Sequence, residues 1–235
     1  MDYHNRKKFN FISDFDQSKL DVVSSIDTDV GRVYSNPITG EKYPSVTTVM
    51  SFLARPGIEK WKKSIGEEES SKVMYRASIR GTAIHDACER YILGEENYID
   101  NKDYILHQNF QDIKKVLDNK VDNVYALERS LYSNFLGLAG KTDCIAEYDR
   151  KRSIIDFKTS RKIKQKKYIT GYLMQATAYS IMFEELTGIG IPQIVIIISV
   201  DNEGPSVFIE KRDNYVDELL STIKKYKKAH GDISE

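Results

Sequence analysis

The chain has 235 residues, which is enough for one α/β domain with a full core. Its 35 basic and 35 acidic residues cancel, so the net charge neither favours nor excludes a nucleic-acid partner, and any phosphate-binding surface must be local. The two cysteines lie in apolar patterns, no apolar run is long enough for a membrane span, and no signal peptide is evident. We therefore expect a soluble intracellular protein of the cytoplasm, or of the host cytoplasm if it is viral.

The chain divides by pattern into three parts of one expected domain, residues 1–235. Residues 1–32 form an arm without a sustained period, for which no element is predicted. Residues 33–120 should contain a hairpin and several helices, and residues 121–235 should contain the sheet core. The predicted architecture is a mixed central β-sheet flanked by helices, with a helical N-terminal elaboration.

The region after the arm begins with turn and helix signals. An Asn-Pro and Gly turn separates residues 33–34 from residues 41–43 and predicts a short hairpin. Ser45 then suits the N-cap of a helix, which Arg55-Pro56-Gly57 should end. Trp61 follows, between lysines. Its ring is either a core anchor or a surface on which a nucleic-acid base could stack.

Residues 67–93 carry a helical pattern that Gly81 could interrupt. The second half of this helix has one apolar stripe: Ile84, Ala87, Cys88, Tyr91 and Ile92. His85 borders the stripe and is either a satisfied histidine at the edge of the core or a metal ligand. Gly94 should end this helix, and another helix is predicted over residues 103–117.

The first two strands of the sheet are predicted over residues 124–135 and 138–148. Gly137 and Gly140 would permit a tight turn and a close approach of the backbone. Glu128 then stands near the start of the first of these strands.

The period-two pattern continues through the stretch from Gly140 to Lys158, which reads G-K-T-D-C-I-A-E-Y-D-R-K-R-S-I-I-D-F-K. A polar turn at residues 149–152 makes it a hairpin, whose register brings Asp143 near Asp156, with Lys158 on the same face. Carboxylate oxygens suit a hard cation such as Mg²⁺ or Mn²⁺, and an ammonium can position water or stabilise charge on a phosphate. By itself this motif more often belongs to an exposed hairpin with ordinary surface charges, so other parts of the chain must decide.

Basic residues crowd the connection after the hairpin, which we interpret as a track for a phosphate backbone: Arg161, Lys162, Lys164, Lys166 and Lys167. Residues 172–186 are a predicted helix with Gln175 in its apolar stripe. Because a buried amide needs partners, Gln175 is either a site residue or a peripheral glutamine bonded to backbone. Residues 194–200 are predicted as a strand buried on both faces, followed by an edge strand at 206–210 and a last helix at 213–230.

Five motifs in this order resemble the RecB-type branch of the PD-(D/E)XK nuclease superfamily: Gly81-x-x-x-His85, a strand with Glu128, Gly140-x-x-Asp143, Asp156-Phe157-Lys158 and Gln175-x-x-x-Tyr179. The Pro-Asp of that name is here Thr142-Asp143. Further segments resemble the mitochondrial genome maintenance exonuclease family and its viral relatives: residues 45–49, Trp61, residues 80–82, Asp143-Cys144 and residues 175–179. The resemblance runs from about residue 33 to residue 210 and implies an α/β, restriction-endonuclease-like fold.

The resemblance also implies roles for individual residues. It implies a set of ligands for Mg²⁺ or Mn²⁺: His85, Asp143, Asp156 and the carbonyl of Phe157. Lys158 would serve the attacking water, while Gln175 and Tyr179 would orient the site or the strand. Glu128 is a weaker correspondence, because it stands near the start of its strand. Contacts to DNA are expected from the following residues: Trp61, Arg80, Arg161, Lys162, Lys164 and Lys166.

The implied activity is hydrolysis of single-stranded DNA from a free end, in DNA replication or repair. Several RecB-type relatives bind an iron–sulfur cluster through four cysteines, and this chain has two, so we expect no such cluster. No Gly-x-x-x-x-Gly-Lys-Ser/Thr loop occurs, so we expect no nucleoside triphosphate, and we expect no membrane partner. Two alternatives stay open: a structure-specific or double-strand DNA endonuclease, and a catalytically silent nucleic-acid-binding protein of the same fold.

Overall fold

The computed structural model describes residues 6–29, 31–99 and 103–231. Within those residues, eight strands form two sheets. The smaller sheet is antiparallel and contains β1 (Ser24–Thr28), β2 (Gly31–Ser35) and β3 (Lys42–Pro44). The central sheet has the order β4-β5-β6-β7-β8, with these bounds: Val121–Ser133, Leu138–Tyr148, Lys151–Ser160, Gln193–Val200 and Gly204–Lys211.

Helices cover both faces of the central sheet. Strands β6 and β7 are parallel, and helix α4 (Thr170–Thr187) is the crossover between them, while the other neighbouring strands are antiparallel. Helix α4 shares one core cluster with α1 (Val46–Ile65) and α5 (Val216–His230). Helices α2 (Glu67–Leu93) and α3 (Tyr104–Lys120) cover the opposite face. The predicted α/β fold, a mixed sheet flanked by helices with a helical N-terminal elaboration, is confirmed.

The alternation of β6 distributes its side chains between the two helical layers. Ile154 packs in the α4 layer, whereas Ile155 and Phe157 pack against the layer of α2 and α3. Because side chains two residues apart share a face, Asp156 and Lys158 belong to the α4 side with Ile154. The sheet therefore delivers these two charged groups to the same helix that carries Gln175.

Two features of the N-terminal part differ from the sequence predictions. Strand β1 lies in the arm, where no element is predicted, because all five of its residues are exposed and show no apolar alternation. The predicted end of the first helix at Pro56 is wrong, since α1 continues to Ile65. Proline deprives the carbonyl of Phe52 of its helical donor, and water can satisfy that carbonyl because residues 53–60 are exposed.

The predicted helix ends are confirmed at other positions. The Oγ of Ser45 accepts a hydrogen bond of 3.0 Å from the backbone N–H of Thr48, and Asp103 caps α3 in the same manner. Helix α2 is continuous through Gly81 and ends at Gly94 in the left-handed conformation. Among the described helices, none combines the length and apolar character needed to cross a membrane.

Candidate active site

Strands β5 and β6 separate where the polar motif begins. Their antiparallel ladder ends at the pair Cys144↔Ile155. Beyond that pair, the Oδ2 atom of Asp143 accepts a hydrogen bond of 2.8 Å from the backbone N–H of Phe157. The carboxylate thus satisfies a backbone donor that has lost its partner in the neighbouring strand. The two strands diverge beyond this pair, and we call the gap between them, which begins at Asp143, the fork.

The α4 side of the fork contains Asp156 and Lys158. The Nζ atom of Lys158 lies 2.5 Å from Oδ2 of Asp156, which is only 1% exposed. From α4, the Nε2 atom of Gln175 lies 3.3 Å from Oδ1 of Asp156 and 3.4 Å from the hydroxyl of Tyr179. The buried amide therefore has its partners inside the site, and the structure brings these four sequence-predicted residues together.

Two further ionisable side chains, His85 and Glu128, lie beside Asp143. The Nδ1 atom of His85, on α2, lies 3.4 Å from Oδ1 of Asp143. The register of β4 and β5 places Glu128 opposite Asp143, and the ammonium of Lys141 lies 2.7 Å from Oε2 of Glu128. One ligand atom each from His85, Glu128 and Asp143 lies within 4.8 Å of the other two. His85 therefore faces the site rather than only the edge of the core.

Glu128 occupies a different position from the one that the sequence predicts. Strand β4 begins at Val121, so Glu128 lies in the middle of the strand and not near its start. Its φ is +50°, and the β4–β5 register shifts earlier in the strand, between Asp122 and Ala126. A left-handed conformation is costly for a residue with a side chain, and such strain concentrates at functional sites. The apolar alternation of β4 gives no signal of this irregularity.

It is costly for the buried carboxylates of the site to be ionised at the same time. Burial, together with the nearby Asp143, raises the pKa of Asp156 to about 6 against the attraction of Lys158. Burial also raises the pKa of Glu128. Burial acts against the charge of Asp143 too, but His85 and Lys158 hold the pKa of Asp143 below its ordinary value. Bringing a cation among these groups would relieve the cost of their charges.

The donor set fits a hard divalent cation. Carboxylate oxygens with an imidazole nitrogen suit Mg²⁺ or Mn²⁺, whose ligand atoms lie about 2.0–2.2 Å from the ion. The spacing of the ligand atoms of His85, Glu128 and Asp143 is close to what one such ion would bridge. The predicted ligand Asp156 lies outside this group of three, with its carboxylate beside Lys158 and Gln175. The carbonyl of Phe157 as a ligand stays a prediction, since the observed contact is made by its N–H.

The predicted DNA contacts fall on separate surfaces. Arg80 and Arg161 line one cavity beside α2, where Arg80 is ion-paired with Asp201 at 2.7 Å. Lys166 lies at the β8 edge instead, with its Nζ atom 2.5 Å from Oε1 of Glu210. The other predicted contacts are exposed or half-buried: Trp61, Lys162 and Lys164. Arg161 and Lys166 of the basic connection therefore have different neighbours, the cavity beside α2 and Glu210 of β8, and the predicted phosphate track stays a prediction.

Two exonucleases resemble part of this chain. Mitochondrial genome maintenance exonuclease 1 of Mus musculus is 28% identical over 136 residues, a match that covers 54% of this chain and 40% of that protein. The Homo sapiens protein of the same name is 28% identical over 140 residues, with the same coverage. The chain thus spans 40% of the length of the curated relatives it matches. No protein-family model matches the chain.

A solved structure of an inferred exonuclease from Eubacterium rectale superposes with a TM-score of 0.42 at 15% identity, covering 66% of this chain and 69% of that chain. A likeness of that size carries no argument about activity. Both curated relatives are named exonucleases, and the match to each covers 54% of this chain.

Proposed function

We propose that this protein is a single-domain deoxyribonuclease of the PD-(D/E)XK superfamily, in its RecB-type branch. It uses Mg²⁺ or Mn²⁺ and shortens single-stranded DNA from a free end. The observation that carries this proposal is the fork between β5 and β6, where Asp143, Asp156 and Lys158 meet beside His85. The similarity to two proteins named exonucleases supports it.

In the proposed reaction, a cation and the residues around it have different roles. The cation would be held by this ligand set: His85, Glu128, Asp143, Asp156 and the carbonyl of Phe157. When bound, it would supply Lewis acidity to the scissile phosphate. The attraction of Asp156 and Asp143 outweighs the effect of burial and raises the pKa of Lys158, so this side chain is an ammonium. An ammonium donates hydrogen bonds but accepts no proton, so Lys158 is suited to hold the attacking water and to stabilise charge that develops on the phosphate.

Gln175 and Tyr179 hold the Asp156 carboxylate in place. The amide of Gln175 lies between Oδ1 of Asp156 and the hydroxyl of Tyr179. Burial raises the pKa of Tyr179 well above its ordinary value, so the phenol keeps its proton. This chain of contacts joins α4 to the fork and fixes the orientation of the carboxylate.

The proposed preference for a single strand rests on the helical arm, which we define as residues 51–80 of α1 and α2. Most of its side chains are exposed, including Tyr75 at 69% and Ile79 at 52%. Trp61 is half-buried in this arm beside Lys60 and Lys62. Exposed rings and cations suit the unpaired bases and phosphates of a flexible strand, whereas the bases of a duplex are already stacked.

The experiment that tests this function uses linear and covalently closed single strands, labelled at either end, with Mg²⁺, Mn²⁺ or a chelator. We expect linear strands to be degraded, closed circles and blunt duplexes to resist, and the chelator to stop the reaction. Asp156→Asn and Lys158→Ala should each lower cleavage at least about a hundredfold. Asp149→Asn, in the exposed turn of the same hairpin, should cleave like the wild type.

Three outcomes would contradict the proposal in different ways. Rapid nicking of closed circles would make the protein an endonuclease. Equal cleavage by the wild type, Asp156→Asn and Lys158→Ala would place the chemistry elsewhere. Binding of DNA without cleavage in either metal would identify a silent nucleic-acid-binding protein.

A further inference from the structure

A cavity of about 480 Å³ lies between α2, the first turn of α3 and the residues that follow β6 and β7. Val73 and Ala77 of α2 and Leu106 of α3 contribute an apolar wall, and Arg76 and Arg161 also line the cavity. Sites for small molecules have volumes of about 300–1,000 Å³. The carboxyl ends of parallel strands, here β6 and β7, are where α/β sheets commonly bind ligands.

The charges of the cavity are only partly neutralised. Arg80 is ion-paired with Asp201, which lines the same cavity. Within residues 6–29, 31–99 and 103–231, neither Arg76 nor Arg161 forms an ion pair, and both are exposed. Two guanidinium groups beside an apolar wall favour an anionic ligand with a flat apolar part.

The acidic residues of the cavity do not cancel these two arginines. Asp201 is occupied by Arg80, and the carboxylate of Asp103 caps α3 by accepting a hydrogen bond from the backbone N–H of Leu106. Glu69 is the third acidic residue in the lining. Among the described residues of the lining, Glu69 is the acidic side chain that remains to offset the guanidinium groups of Arg76 and Arg161. The local net charge is therefore positive.

The cavity adjoins the candidate active site along two elements. Ala83 lines the cavity and lies two residues before His85 on α2. Arg161 follows β6 and lies three residues beyond Lys158, which corresponds to about 10 Å of extended strand. The cavity and the candidate active site therefore lie at neighbouring positions along α2 and along the end of β6.

We propose that this cavity is a subsite for one nucleotide of the substrate strand, adjacent to the nucleotide that is cleaved. Its base lies against the wall of Val73, Ala77 and Leu106, and its phosphate is bound by Arg76 and Arg161. A guanidinium binds phosphate oxygens through paired N–H donors, and an apolar wall accepts the face of any base, so this subsite does not select sequence. The inference rests on the proposed function. A free deoxynucleoside monophosphate offers the same base and phosphate, so the experiment must distinguish a nucleotide of the substrate strand from a free nucleotide.

The test measures binding of a fluorescent oligothymidylate to the full chain in the presence of a chelator, so that no cleavage occurs. Arg76→Gln removes one guanidinium, and Ala77→Leu fills the cavity from an exposed position. Each should weaken binding about tenfold. Arg76→Gln should also reduce the slope of log affinity against log salt by about 0.7. The matched controls Arg90→Gln on α2 and Ala229→Leu on α5 change exposed residues outside the cavity and should bind like the wild type.

The outcomes separate the alternatives once thermal unfolding has shown that all four variants fold. Wild-type affinity for the oligonucleotide in both cavity variants would overturn the proposal. Binding of thymidine 5′-monophosphate is measured with the same variants. If they lose affinity for this nucleotide alone and keep wild-type affinity for the oligonucleotide, the cavity holds a free nucleotide, and its assignment to the substrate strand is overturned. A wild type that binds through the cavity but never cleaves would refute the nuclease assignment and still support this subsite.

Discussion

Gly140 is the position where a single added methyl group should disturb the site most directly. A Cβ atom built at this glycine would lie 2.7 Å from Cε1 of Tyr179 and 3.0 Å from its hydroxyl oxygen. Carbon atoms in contact are about 3.5–4.0 Å apart, so the first contact would be too short by about 0.8 Å. Gly140 is not among the glycines with positive φ. An alanine would therefore suffer from packing and not from backbone strain.

The ring of Tyr179 has little freedom to yield. It is 2% exposed and lies in the core cluster of the α4 layer, with its hydroxyl beside the amide of Gln175. Extra volume in a packed core costs about 1–3 kcal/mol, and we expect Gly140→Ala to lower the free energy of unfolding by that amount. A displaced Tyr179 would also move Gln175 and release the Asp156 carboxylate, so cleavage should fall as well.

Urea unfolding of a double-mutant cycle measures this contact. With Tyr179→Leu in place, the added methyl group no longer meets a ring, so the two substitutions should couple by at least about 1 kcal/mol. Gly81→Ala is the control, because a Cβ there meets no atom within 4 Å and alanine favours a helix by about 1 kcal/mol. A midpoint urea concentration of unfolding that is the same for Gly140→Ala as for the wild type would refute the reasoning. A double-mutant cycle with no coupling energy between the two substitutions would refute it as well.

Four other changes test separate parts of the structure. Ser45→Ala removes the cap of α1 and should lower the free energy of unfolding by about 1–2 kcal/mol in urea; no loss would mean that the cap contributes nothing. Glu185→Gln weakens the carboxylate that accepts the backbone N–H of Asn134 at 2.9 Å, and a cost of about 1 kcal/mol is expected by the same assay. Mn²⁺ should raise the melting temperature of the wild type but not of Asp143→Asn, and equal shifts would contradict a site at the fork. His85→Ala should lose more activity in Mg²⁺ than in Mn²⁺, and full activity with a lower melting temperature would instead make His85 a core residue.

Much of the fold follows from short-range pattern. The continuous apolar run of β7 predicts a strand buried on both faces because a parallel strand between helical layers has no polar face. Ser45 predicts the start of α1 because its hydroxyl satisfies a donor only three residues away. Asp143, Asp156 and Lys158 can be placed together for a similar reason, since one hairpin and its alternation fix their relative positions.

The remaining features depend on contacts between elements that are distant in the chain. Glu128 lies opposite Asp143 because the β4–β5 register shifts between Asp122 and Ala126, and the alternation of a strand does not reveal where its register shifts. Arg76 and Arg161 line one cavity only because α2 packs across the ends of β6 and β7. The sequence by itself determined the strands of the central sheet, most of the helices and the local motif, because these rest on neighbours within a few residues. Only the tertiary structure decided which side chains converge from separate elements, because that depends on how the helices pack on the sheet.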